Sequence, residues 1–228
     1  RATNYIGFIR RALNDAGLSQ VPVLSLSAQG FEKNPGFKLT FSLVDNLVKS
    51  LVVGDVLMRV LYRTRPYEDI PGSANQMYEK WNAVAEDLFS KHVSFRKFNK
   101  LIKNIVNDFD NLPLKPIKKP RVGVVGEILV KFHPMANNQI VETIEREGAE
   151  CVMPDLLDFF FYSFSDGIFR HKKLAFAKKS ETEAKLLVWG LELYRRKMKK
   201  YLNKSRRFEA PHSIYSMMKC VDDIISLG

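Results

Sequence analysis

Residues 121–155 read RVGVVGEILVKFHPMANNQIVETIEREGAECVMPD. The stretch from Arg121 to Leu129 is an apolar run of strand length that ends in Gly126-Glu127. Val130 to Ala136 reads as a loop holding His133 and Pro134. Asn137 or Asn138 can cap a helix whose apolar face is Ile140, Val141 and Ile144, and Gly148 ends it. Glu150 to Met153 is the next strand. Strand, loop, capped helix, glycine, strand is the order of a right-handed βαβ crossover. A wholly apolar first strand predicts a parallel sheet covered on both faces, and so an α/β fold.

On the amino-terminal side, Tyr5, Ile6, Phe8, Ile9, Ala12, Leu13 and Ala16 repeat at helical spacing, with Gly17 placed to end the helix. Val21 to Leu26 alternates like a strand. Between 38 and 110 the apolar period is helical throughout. One or two helices cover 39–63, with a bend expected near Gly54, and a second run covers 74–92. A third, 94–108, carries Phe95, Phe98, Leu101, Ile102, Ile105 and Phe109 on one stripe. Residues 112–120 contain three prolines and three lysines and read as an extended linker. On the carboxyl side, 156–164 reads as a Phe-rich helix and 170–179 as loop or frayed helix. Residues 181–202 form a strong helix and 217–227 a last one. The expected division is an α/β segment over 1–36, a helical insertion over 37–112, and an α/β lobe with carboxyl-terminal helices over 113–228.

The 228 residues are 46% apolar and 27% charged, which excludes wholesale disorder. No uncharged apolar stretch approaches the ~18 residues that a membrane span needs. Two cysteines, Cys151 and Cys220, do not make a disulfide framework; two buried thiols in a reducing cytoplasm are expected. The chain opens at Arg1 without a signal-peptide pattern, and reads as a piece of a longer polypeptide. The net charge of +11 lies entirely within 170–207, where 14 basic residues face 3 glutamates. Arg195, Arg196, Lys199 and Lys200 are expected on the polar faces of a helix. Such a run reads as a solvated face, a surface for an acidic partner or for phosphate groups, or, last in rank, a nucleic-acid surface.

Gly126 and Glu127 stand at a strand's carboxyl end, where open parallel sheets bind ligands. Glu127 is the candidate catalytic group. Gly126 would let backbone approach a ligand, and the helix start at Asn137 and Asn138 would face the same space. The competing reading of Glu127 is a surface carboxylate paired with a lysine. His133 reads first as a loop histidine bonded to backbone and second as a donor to a substrate or phosphate, and His92, His171 and His212 show no ligand spacing. No G-x-G-x-x-G or Walker sequence is present.

Four stretches together resemble a known family: Arg1-Ala2-Thr3-Asn4-Tyr5, the turn Arg65-Pro66-Tyr67-Glu68, Val122 to Asn138, and Glu145 to Asp155. They are similar to the 2-hydroxyacyl-CoA dehydratase superfamily. More closely, they resemble the dehydratase-like part of large activase-related chains of the 2-hydroxyglutaryl-CoA dehydratase activator type. The resemblance implies Rossmann- or flavodoxin-like lobes with helical decoration. It also implies a [4Fe–4S] or double-cubane cluster fed with low-potential electrons by an ATP-driven activator. In the dehydratases such an electron enables radical loss of water from a 2-hydroxyacyl-CoA; other cluster-driven reductions would suit the same parts. The implied partners are the remaining domains of a parent chain, among them the ATPase, with acyl-CoA and a possible second copy. Relatives commonly carry a cysteine just before the opening segment, which would place Arg1, Asn4 and Tyr5 beside a cluster. Cys151 and Cys220 alone cannot supply about four thiolates, so no cluster site is complete here. A non-catalytic interaction module with a basic docking helix is the alternative.

Overall fold

The structure is a computed structural model and describes residues 3–23, 26–27, 30–31, 38, 40–174 and 178–221. The chain forms two compact units, Arg1–Thr40 and Phe41–Gly228. In the first, helix α1 (Thr3–Asp15) follows the predicted stripe. It ends as the sequence suggests: Gly17 takes φ 73°, and Leu18 N–H reaches back to Leu13 O at 2.8 Å. Strands β1 (Leu26–Ser27) and β2 (Gly30–Phe31) pair antiparallel. The rest of the predicted strand over 21–26 falls partly on residues 24 and 25, outside the described residues.

The second unit is built on α2 (Phe41–Thr64), one continuous helix through Gly54. Val52, Val53, Val56, Leu57, Val60 and Leu61 bury its apolar stripe. Pro66, which lacks an N–H, turns the chain through a short 3-10 segment, Arg65–Tyr67. Glu68 then accepts from the Gly72 and Ala74 N–H groups at 2.6 and 2.9 Å, which seats the start of α3 (Ser73–Phe89). Helix α4 (Phe95–Asp110) is capped by Ser94 and buries Phe98, Leu101, Ile102, Ile105, Val106 and Phe109. The linker runs along the 3-10 turn: Lys115 N–H meets Tyr67 O at 2.8 Å, and Asp69 N–H meets Pro113 O at 3.1 Å. Helices α2 to α4 share one core with the later helices, through Leu157, Phe161, Val188, Met198, Leu202 and Phe208. A buried pair ties α2 to the segment before α4 and to a later helix. Lys49 donates to Asp45 and to Val93 O, and Tyr194 OH donates to the other Asp45 oxygen at 2.9 Å.

The βαβ order is present in small form. Strand β3 (Arg121–Gly123) pairs parallel with β4 (Glu150–Val152), placing Arg121 opposite Glu150 and Val122 opposite Cys151. Between them lie α5 (Ile128–Phe132) and α6 (Ile140–Arg146). Val141, Ile144, Ala149, Cys151 and Met153 form a second core against Met58 and Tyr62 of α2. Two expectations are corrected. The nine-residue apolar run is not one strand: it leaves the sheet after Gly123, turns at Gly126 (φ 154°), and enters α5, which contains Leu129. Nor is the sheet covered on both faces, for all three residues of β3 are exposed, Val122 at 40%. The molecule is mixed α/β but mostly helical, with one two-stranded parallel sheet among the described residues.

The remaining helices are α7 (Leu156–Leu174), α8 (Lys178–Leu202) and α9 (Ile214–Val221). Of the two expectations for 170–179, loop or frayed helix, the described residues take the helical one, with 175–177 outside them. Helix α9 starts three residues before the expected 217, and 222–228 lie outside the described residues. No helix among the described residues is long and apolar enough to cross a membrane.

Candidate functional site

Glu127 is exposed and caps α5, its Oε2 accepting from Val130 N–H at 3.1 Å. Gly126 precedes it with the positive φ that frees the turn of a side chain. Asn137 is engaged at both ends of its amide. Its Nδ2 donates to Lys131 O at 2.9 Å, and its Oδ1 accepts from Ile140 N–H at 3.2 Å. That bond caps α6 three residues ahead, while Asn138 and Gln139 take left-handed conformations (φ 56° and 54°) to make the turn. His133 ends α5, its N–H bonded to Leu129 O. Thus Gly126, Glu127, Asn137 and Asn138 share the α5–α6 connection. Asn4 and Tyr5 lie on α1 in the other unit, Tyr5 half-buried, and Arg1 falls outside the described residues.

Beside Asn137 a cavity of about 40 Å³ is lined by Tyr62, Lys131, Phe132, Val141, Glu142 and Met153, among others. Burial lowers the Lys131 ammonium below its ordinary value, against the pull of Asp158 and Asp55. Burial likewise pushes the Tyr62 phenol up to about 12.

Two charged centres flank this connection. In the first, Glu150 is 1% exposed and collects donors from three places. Arg63 Nη1 reaches both oxygens, Tyr67 OH donates at 2.7 Å, and Arg121 Nε lies at 3.0 Å. Next to it, Arg65 grips Glu145 with Nε at 2.7 Å and Nη2 at 3.0 Å, a bidentate geometry. Burial still holds Glu145 above its ordinary range, although Arg65 pulls it down.

The second centre lies where α2, α7 and α8 meet. Asp55 accepts from Leu156 and Leu157 N–H at 2.7 and 3.0 Å, capping α7. Arg59, one turn on, binds Asp155, and Arg195 of α8 binds Asp158 at 2.6 Å. Burial first, then the neighbouring Asp155, push Asp55 up to about 8. Asp155 is also raised, by burial. Arg59 Nε, Asp155 Oδ2 and the Nε and Nη2 of Arg195 are buried without a hydrogen-bond partner among the described residues. A carboxyl that holds its proton near neutrality can give or take it there, which ordinary aspartates cannot.

This overturns one reading of the basic run. Arg195 is not on a solvated face: it is 1% exposed, its guanidinium 4.6 Å from the Phe161 ring. Lys199 pairs with Glu192 at 2.7 Å, leaving Arg196 and Lys200 exposed. The buried charges were missed at the sequence level, though a signal exists. Asp55 and Arg59 stand four apart on the stripe of α2 that is otherwise Val52, Val56 and Val60. Charges within an apolar stripe mark buried pairs.

The described residues do not fit a four-thiolate cluster. Cys151 is buried and its thiol is pushed up to about 11 by burial, Cys220 is exposed, and no group of three metal-binding side chains occurs among them. No family model, no curated protein and no solved structure matches this chain.

Proposed function

We propose that this chain is the dehydratase-like part of a larger cytoplasmic iron–sulfur protein of the 2-hydroxyacyl-CoA dehydratase and activase-related kind, inactive alone. One observation supports the reading most. Two of the stretches that carry the resemblance, far apart in sequence, are locked together by ion pairing and hydrogen bonding, and a residue bordering a third joins them. The Arg65–Glu68 turn holds the 145–155 stretch through Arg65–Glu145 and Tyr67–Glu150, and Arg121, bordering the 122–138 stretch, joins at Glu150. Residues that resemble a family motif and also build one tertiary unit are a better match than scattered identities. On this reading the small sheet is the seed of a Rossmann- or flavodoxin-like lobe, and cluster ligands, ATPase and acyl-CoA contacts come largely from the rest of the parent chain.

Iron and acid-labile sulfide, with a visible spectrum, test this anaerobically on two forms: this chain, and one extended at both ends along the parent sequence. The expected result is a colourless short form and a brown extended form with about four irons or more per chain. Two colourless forms after reconstitution overturn it. In the extended protein, Glu127→Gln keeps a capping oxygen and removes the charge. Lost turnover with unchanged melting is expected if Glu127 works on substrate; full activity removes that role.

The alternative, a docking module, is favoured by the exposed Arg196 and Lys200 on α8. Reversing both charges would abolish assembly with the parent's other domains and leave the fold intact.

A further inference from the structure

A cleft of about 410 Å³ opens where three segments of the second unit converge: the end of α2, the 114–121 linker and the Arg206-Arg207 turn after α8. Of its ten lining residues seven are lysine or arginine, and none is acidic. Scattered surface charge would bring both signs to a cleft of this size.

Six of the seven cations divide by what holds them, and the seventh, Lys119, is half-buried. Arg63 and Arg121 lean on the buried Glu150, and Arg207 donates to Phe109 O at 3.0 Å and Leu112 O at 2.6 Å. These three are fixed by the fold. Burial, with Arg206 beside it, lowers the Arg207 guanidinium, against the pull of Asp110. Lys115, Lys118 and Arg206 are exposed and have no ion-pair partner among the described residues. A fixed cationic floor under three uncompensated cations concentrates positive potential in a concave space. The remaining wall is Tyr67, Leu114 and Ile117. The Tyr67 ring is held by its bond to Glu150 at 2.7 Å, so it offers a rigid apolar face at the rim of the charge.

We propose that this cleft binds a small molecule in which a diphosphate is joined to a nucleoside. Its volume is that of an ordinary small-ligand pocket, roughly 300–1,000 Å³. One phosphate group carries about −1.5 to −2 near neutral pH, less than three free cations call for, and a diphosphate answers them better. The Tyr67–Leu114–Ile117 wall gives the nucleoside a surface. A polynucleotide is the less favoured occupant: the cleft has the volume of a small-ligand pocket, and on α8 Arg195 and Lys199 are already paired with Asp158 and Glu192, although Arg196 and Lys200 stay exposed there. The site stands on its own residues and does not depend on the iron–sulfur reading. Free nucleotides such as ATP and diphosphate-bearing cofactors such as coenzyme A share the recognised chemistry.

Calorimetric titration of this chain at low salt, with ATP, coenzyme A, inorganic diphosphate, inorganic phosphate, adenosine and a single-stranded oligonucleotide, tests the proposal. ATP, coenzyme A or both are expected to bind, with inorganic diphosphate competing, adenosine silent, and affinity falling as salt rises. The preferred nucleotide names the source. Lys118→Glu with Arg206→Glu is expected to weaken binding tenfold or more. Both side chains are exposed and unpaired, so circular dichroism and melting should stay as in the parent sequence. Arg196→Glu with Lys200→Glu on α8 should bind normally. The proposal is overturned if no diphosphate ligand binds, if phosphate binds as tightly as diphosphate, if the oligonucleotide outcompetes every mononucleotide, or if the cleft variant binds undiminished. Retained nucleotide binding in a colourless protein would separate this site from the cluster proposal.

Discussion

Glu150 shows how one residue organises its surroundings. Its carboxylate is removed from water and held by two guanidiniums and a phenol, from α2, the 3-10 turn and β3. Such a group resists removal more than its net contribution suggests, because its partners are left charged and unpaired. Glu150→Ala is expected to cost about 3 kcal/mol or more, read as a lower urea midpoint at unchanged slope. Asp55 gives a pH signature. Its ordinary value is 3.8 and burial raises it to about 8, so between those pH values the folded state holds a proton that the unfolded chain has lost. Stability from this group is therefore full at the acid end and falls as pH rises toward 8. The raised Asp155 works in the same direction. Urea midpoints from pH 5 to 8.5 should decline, and Asp55→Asn should flatten that decline. An equal slope in the variant would assign the effect elsewhere. Glu127 was legible as a residue of interest, because Gly-Glu after an apolar run is visible in one dimension. That it caps α5 was not, since an apolar run without a visible break is equally compatible with one continuous strand.

At the scale of elements, α4 is the most readable part of the chain. Its apolar residues recur at helical spacing and Ser94 stands at the start, where its oxygen accepts from Lys97 N–H. Ser94→Ala is expected to cost about 1 kcal/mol through the lost cap, and Phe98→Ala about 3–5 kcal/mol through the cavity left in a fully buried site. Thermal melting separates the two by size. A larger loss at Ser94 than at Phe98 would contradict this packing. Helix α6 and strand β4 were readable for the same reason, with Gly148 (φ 86°) between them. Strand β3 was overread. Apolar composition marks a segment as compatible with a strand, yet pairing partners set its length, and here only three residues find them.

Across the whole molecule, long-range charge pairs join the helical core to the βαβ segment. Arg65 and Glu145 are 80 positions apart and about four-fifths buried or more. A double-mutant cycle on Arg65→Ala and Glu145→Ala should give a coupling of about 1–3 kcal/mol, against near zero for the more exposed Lys80–Asp108 pair. Equal couplings would mean that the joint carries no special load. The excess charge was visible at once from composition, but its disposition was not. Part of it is buried at Arg195, part neutralised at Lys199, and part gathered with the linker lysines around one cleft.

The amino-acid order was enough to place α1, α3, α4, α6 and the β3–β4 crossover, because periodicity, caps and terminating glycines act within a turn or two of chain. It also sufficed to locate the charge excess and to bring Gly126, Glu127 and Asn137 to attention. It could mark Asp55 and Arg59 as charges in an apolar stripe, but it could not reveal the Glu150 hub, the partners that complete the Asp55–Asp155–Arg195 centre, or the cationic cleft. Each of these unites residues some 40 to 150 positions apart. Whether a charge is solvated, paired or buried is set by what packs over it, and that is decided when distant segments meet.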